Sequence, residues 1–139
     1  MMLVDTSVWI DFLTGRDTLH RRLLHHLLEN EDDICITEII LTEILQGIKD
    51  DAVYETTKNY LMEFQIIEPK GIDSYIKAAE IYRKCRKHGK TVRKTIDCII
   101  AAIAIENNII LFHNDADFEV IKGCVDLKTV DVRRFLIGI

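Results

Sequence analysis

Proline is nearly absent from this chain and glycine is scarce, with one and six residues respectively among 139. There is no Pro/Gly/Ser-rich linker, no repeat and no low-complexity tract, which predicts a single domain over residues 1–139. Long apolar runs are missing too. The longest, Cys98 to Ile105, falls far short of the ~18 residues that a membrane span needs. No basic segment precedes an apolar one at the N-terminus, so no secretory signal is read. These absences predict an intracellular, cytoplasmic protein with no membrane partner. CxxC pairs are also lacking. Cys35 and Cys98 sit among aliphatic residues, which predicts reduced, buried thiols rather than a disulfide framework or a zinc site. His20, His25 and His26 lie in a Leu- and Arg-rich segment with no cysteine nearby, and a solvated helix face is expected for them.

What is present describes a folded domain. Hydrophobic residues make up 48% and charged residues 29% of the chain, a balance that excludes intrinsic disorder. A net charge of −5 argues at first against a nucleic-acid partner, but its distribution reverses that argument. Between Arg83 and Lys94 stand Arg83, Lys84, Arg86, Lys87, Lys90, Arg93 and Lys94, with no Asp or Glu among them. A local basic strip of this kind can hold phosphates on an acidic molecule.

Apolar periodicity predicts strands at Met2–Val4, Asp33–Thr37, Ile66–Ile67, Ile109–Phe112 and Leu127–Val130. Helices are predicted over Ser7–Leu13, Leu19–Glu29, Glu38–Lys49, Ala52–Phe64, Ile72–His88 and Thr95–Glu106, with a short C-terminal helix and a polar turn at His113–Asp117. Thr37 and Thr95 are placed to cap the helices that follow them. Strands alternating with helices imply an α/β sandwich around a mostly parallel sheet.

Ligands of such sheets bind beyond the carboxyl ends of the strands. Asp5 ends the first strand, and Asp115 and Asp117 follow the Ile109–Phe112 strand. Capping alone would account for each of them singly. Asp97 is the only charged residue between Ile96 and Ile105, in a helix apolar on nearly every side, and a carboxylate buried there demands a cation. Glu43 falls at the margin of its helix's apolar face, with Gly47 leaving space beside it. Carboxylates gathered without matching lysines repel one another, and a divalent cation resolves the repulsion. Oxygen ligands favour Mg²⁺ or Mn²⁺ over zinc. With the basic strip leading into Asp97, the combination points to phosphodiester hydrolysis of an anionic polymer.

Four segments resemble the PIN domain, and within it the VapC-type toxins: Val4-Asp5-Thr6-Ser7-Val8-Trp9-Ile10-Asp11, Thr37 to Gly47 around Glu43, Thr95 to Ala102 around Asp97, and His113-Asn114-Asp115-Ala116-Asp117-Phe118. They stand in the family's order and span positions 5 to 118. The resemblance implies a PIN-like α/β/α sandwich and a Mg²⁺- or Mn²⁺-dependent endoribonuclease acting on structured RNA such as tRNA or rRNA. It implies Asp5, Glu43, Asp97 and a fourth acid, Asp115 or Asp117 or both, as metal ligands, with Thr6 orienting a water or the scissile phosphate. It also implies 5′-phosphate and 3′-hydroxyl products, a homodimer, and a cognate antitoxin that places a basic side chain in the acidic site. RNA contacts are assigned to Arg86, Lys87, Lys90, Arg93 and Lys94. A PIN nuclease of RNA processing would carry the same site. A receiver-like Mg²⁺ module fits less well, because Glu43 and Asp97 sit inside helices. An aspartyl phosphatase wants a second acid where Ser7 stands.

Overall fold

The computed structural model describes residues 1–136; residues 137–139 of the expected unit lie outside the described residues. Four short aliphatic strands build one sheet: β1 (Met2–Val4), β2 (Ile34–Thr37), β3 (Gln65–Ile67) and β4 (Ile110–Phe112). Their order is β3-β2-β1-β4 and every pairing is parallel, with Leu3 opposite Cys35 on one side and Leu111 on the other. The central strands are buried, as a parallel sheet covered by helices requires.

The helices are α1 (Thr6–Leu13), α2 (Leu19–Glu29), α3 (Glu38–Gln46), α4 (Asp51–Leu61), α5 (Ile72–Lys87), α6 (Thr95–Glu106), α7 (Ala116–Lys122) and α8 (Val132–Leu136). Helix α1 packs on α2 and α3, α3 on α4, and α2 on α8, while α5, α6 and α7 pack against one another. Side-chain caps begin several of them: Asp5 accepts from Ser7 N, Thr18 from Arg21 N, Thr37 from Ile40 N and Asp50 from Val53 N. Gly89 adopts φ 73, a left-handed conformation that suits glycine and ends α5. Among the described residues no helix is long and apolar enough to cross a membrane. Cys35, Cys85 and Cys98 are buried and Cys124 is half-buried, all as free thiols.

The architecture departs from the sequence-based expectation in several places. Helix α3 stops at Gln46 and α4 at Leu61, because Asp50 caps a new helix after the Gly47 turn. The expected polar turn at His113–Asp117 opens α7, since Asp115 caps it through Asp117 N. The expected strand Leu127–Val130 shrinks to one parallel bridge, Leu111 to Thr129. Lys94, not Thr95, occupies the cap position of α6, and no side chain bonds there. His20 is half-buried with its ring stacked on Phe112 at 6.0 Å, so it does not belong to a solvated face.

Trp9 anchors the packing of α1. It is fully buried, with the Phe12, Tyr60 and Phe64 rings edge-on at 6.1, 6.4 and 5.4 Å. Trp9→Ala is expected to lower unfolding free energy by about 3–5 kcal/mol, read by urea titration followed by circular dichroism, since the chain has no second tryptophan. A loss below about 1 kcal/mol would place Trp9 outside the core that positions Asp5.

Candidate metal centre

Strand order reverses direction between β1 and β4, the place where ligands of parallel sheets bind, in the crevice beyond the carboxyl ends of the strands. Asp5 N donates to Phe112 O at 2.9 Å, so the residues leaving the two strands emerge side by side. From β1 comes Asp5, and from β4 the segment His113-Asn114-Asp115. Helix α6 adds Asp97 from its first turn, and α7 adds Asp117.

Ligand oxygens of Asp97, Asp115 and Asp117 lie within 4.8 Å of one another. Asp97 and Asp117 are 4% and 3% exposed, and Oδ2 of each is buried without a hydrogen-bond partner. Buried carboxylate oxygens are normally satisfied by a donor or a cation, so two orphans facing one cluster call for a positive charge between them. Burial raises the Asp97 carboxyl to about 8, with the Asp115 and Asp5 charges adding to the rise. Burial also raises Asp5, against the hydrogen bonds it receives from Ser7. Asp115 is held below its ordinary value: burial opposes this, but the Asp117 N–H and the Lys94 and Arg93 charges outweigh burial. Oxygen donors alone, partly buried, with Asp97 sharing its proton with Asp117 when no cation is bound, suit a hard divalent ion such as Mg²⁺ or Mn²⁺.

Asp5 and Glu43 adjoin the triad, and the Glu43 charge adds to the rise of the Asp5 carboxyl. Glu43 is half-buried and its Oε1 accepts from Thr6 Oγ1 at 2.9 Å. All five acidic positions singled out in the sequence therefore belong to one region, in a triad and a pair. The expectation of acids without matching cations needs correction. Arg93 Nε donates to Asp117 Oδ1 at 3.1 Å and Lys94 Nζ to Asp115 Oδ2 at 3.1 Å. The other residues assigned to RNA stand apart: Arg86 and Lys87 close α5 and Lys90 follows it, all exposed.

Sequence reasoning gave no role to the residues that tie the acids together. Ser7 Oγ donates to Asp5 Oδ2 at 2.6 Å and accepts from Asn114 N at 2.9 Å. Asn114 Nδ2 donates to the buried Asp11 at 2.8 Å, and Thr18 Oγ1 donates to the same carboxylate. His113 Nδ1 accepts from Asp115 N at 3.2 Å, which leaves Nε2 to donate to Glu119 at 3.1 Å. Ser7 was detectable as the polar residue two positions after a cap; the rest depends on loop geometry.

A family profile described as "PIN domain" matches residues 2–123. Over 134 residues the chain is 34% identical to a protein called VapC ribonuclease Mb1587 from Mycobacterium bovis and to Ribonuclease VapC11 from Mycobacterium tuberculosis. Those matches cover 96% of this chain and 100% of each relative. A toxin-antitoxin complex from Klebsiella pneumoniae contains a chain that is 25% identical with a TM-score of 0.71, covering 95% of this chain and 98% of that one. VapBC2 from Rickettsia felis, bound to a DNA fragment from its promoter, gives 20% identity and a TM-score of 0.72, covering 93% and 96%.

The raised Asp97 carboxyl has a consequence for the metal-free protein. Between the ordinary carboxylate range and about pH 8 the folded chain holds a proton the unfolded chain has lost, so stability falls as pH rises through that window. With a chelator present, Asp97→Asn is expected to melt higher than the parent at pH 8, by roughly 5 °C, with the gap closing toward pH 5. Equal melting temperatures at pH 8 would mean that Asp97 carries no burial penalty.

Proposed function

The chain belongs to the PIN-domain family, and from that membership we propose that it is a VapC-type endoribonuclease, the toxin of a toxin–antitoxin pair, that hydrolyses phosphodiester bonds of structured RNA such as tRNA or rRNA with Mg²⁺ or Mn²⁺. The observation that carries the reading is the pair of buried, unpartnered oxygens on Asp97 and Asp117 beside Asp115. Asp97, Asp115 and Asp117 would hold the ion, with Asp5 and Glu43 as the further ligands. When bound, such an ion supplies Lewis-acid activation of water and neutralises charge developing at the phosphorus.

The chain's own groups do the remaining work. Thr6 Oγ1, fixed on Glu43 at 2.9 Å, orients the attacking water or the scissile phosphate. Ser7 holds Asp5 in register with the segment bearing Asp115. Arg93 and Lys94 at the rim of the crevice, with Arg86, Lys87 and Lys90 farther along the basic strip, take the phosphates flanking the scissile bond. The products are a 5′-phosphate and a 3′-hydroxyl.

Partners follow from surface chemistry and from the relatives. The Klebsiella neighbour is a toxin–antitoxin complex, and a cognate antitoxin is the partner assigned to this chain. A largely apolar hollow of about 350 Å³ beside Glu43, lined by Ile10, Leu13, Ile44 and Val53, suits a docked segment. Exposed Ile72, Tyr75 and Ile76 on α5 suit a second copy in a homodimer. The compartment that fits these partners is the cytoplasm. Membership in this family leaves the receiver-like and phosphatase readings without support.

The test is cleavage of total cellular RNA by the antitoxin-free protein with Mg²⁺ or Mn²⁺, with a chelator, and as Asp5→Asn and Asp97→Asn. Discrete products carrying 5′-phosphates are expected, abolished by chelation and reduced roughly 100-fold or more in either variant. Cleavage that persists at the parental rate in a variant or in chelator would remove these acids from the chemistry.

A further inference from the structure

Arg93 and Lys94 reach the acidic triad from outside. Their side chains are 69% and 55% exposed, and they stand between Gly89 and α6 on a segment without regular structure, just after the buried Val92. Arg93 Nε lies 3.1 Å from Asp117 Oδ1 and Nη2 3.8 Å from Asp115 Oδ1, while Lys94 Nζ lies 3.1 Å from Asp115 Oδ2. The cations therefore engage Oδ1 of Asp117 and both oxygens of Asp115. Oδ2 of Asp97 and Oδ2 of Asp117 remain buried and bare behind them. An ion that drew on all three carboxylates would have to share or take the very oxygens that Arg93 and Lys94 hold.

We propose, resting on the metal-dependent nuclease reading, that Arg93 and Lys94 are built-in counter-ions of the metal-free site, displaced by the divalent cation and thereby freed for the RNA backbone. Three features support an exchange of this kind over a permanent lock. Both long side chains approach through solvent, so neither has to leave a packed position. The Lys94–Asp115 contact is exposed and the Arg93–Asp117 contact is only part-buried, so screening by solvent on the cation side keeps both modest, and they lower metal affinity without blocking it. Both residues also end the basic strip that begins at Arg83, so a released guanidinium or ammonium finds itself beside the other phosphate-binding charges. The same two residues then act with opposite signs: they oppose the metal and favour the RNA. Metal binding converts two internally paired charges into two charges available to a phosphate backbone, a positive coupling between ion and substrate.

The experiment measures Mn²⁺ binding by calorimetry on the full chain at low salt, as parent, as Arg93→Gln/Lys94→Gln and as Lys87→Gln/Lys90→Gln. Retention on filters of bulk tRNA, with Ca²⁺ in place of Mn²⁺, follows RNA affinity in parallel. The Arg93/Lys94 variant is expected to bind Mn²⁺ about 3- to 10-fold more tightly and tRNA about 10-fold more weakly. It is also expected to gain more melting temperature from Mn²⁺ than the parent does, because its metal-free state has lost the counter-ions. The Lys87/Lys90 variant, which removes equal charge away from the acids, is expected to lose tRNA affinity with its Mn²⁺ affinity unchanged. A parent that binds Mn²⁺ alongside an Arg93/Lys94 variant of equal or weaker affinity overturns the counter-ion role and leaves the nuclease reading standing. Equal tightening in both variants overturns it as well, since the effect would then be one of net charge. Failure of every form to bind Mn²⁺ overturns both the inference and the reading beneath it.

Discussion

Three carboxylates from two separate stretches of chain, the start of α6 and the start of α7, meet where the sheet changes direction, and two of them are almost wholly removed from water. Bringing like charges together in a poorly solvated place is unfavourable, and the Asp97 carboxyl registers it by rising to about 8. Much of the surrounding structure serves to hold the acids there regardless. Parallel strands β1 and β4 deliver Asp5 and Asp115 to one edge. Ser7 and Asn114 bind the two connections together, and Asp11 and Thr18 brace Asn114 from behind. The repulsion is tolerable because cations are at hand: Arg93 and Lys94 on the acids as the structure shows them and, on the proposed function, a divalent ion in their place.

The packing beneath the site gives this arrangement its rigidity. Helix α6 is buried at Asp97, Cys98 and from Ile100 through Ala104, so Asp97 in its first turn has little freedom to withdraw toward solvent. Trp9, ringed by aromatic residues, fixes α1 and with it the residues that leave β1. A site that depends on charges being held against their repulsion needs such a frame, since a loose one would let the carboxylates separate.

Much of this was legible in the amino-acid order. Apolar triplets such as Ile110-Leu111-Phe112 marked strands and the polar cap Thr37 marked a helix start, and the alternation of strands with helices gave a parallel sheet, whereas the Asp50 cap emerged only in the structure. Asp5, Asp115 and Asp117 were placed at one edge because strand ends were readable, and Asp97 stood out as a charge in an apolar helix. Helix α7 was not legible, since seven residues beginning Ala116-Asp117-Phe118 show too little periodicity to distinguish them from a turn. Nor was the direction of Arg93 and Lys94. Sequence supplied a basic strip, but only the path of the chain after Gly89 brings its last two members onto the acids. The same holds for His113, whose two ring nitrogens bridge Asp115 and Glu119 across a local turn.

On the proposed function, the orphaned oxygens of Asp97 and Asp117 hold a divalent cation. Anomalous scattering from crystals of the chain grown with Mn²⁺ addresses it directly, because the signal locates the ion without assumptions about its ligands. The predicted result is a manganese peak within ligand distance of the Asp97 and Asp117 carboxylates, with Arg93 drawn away from Asp117. A map with no peak in that crevice at saturating Mn²⁺, and Arg93 still on Asp117, would contradict the account.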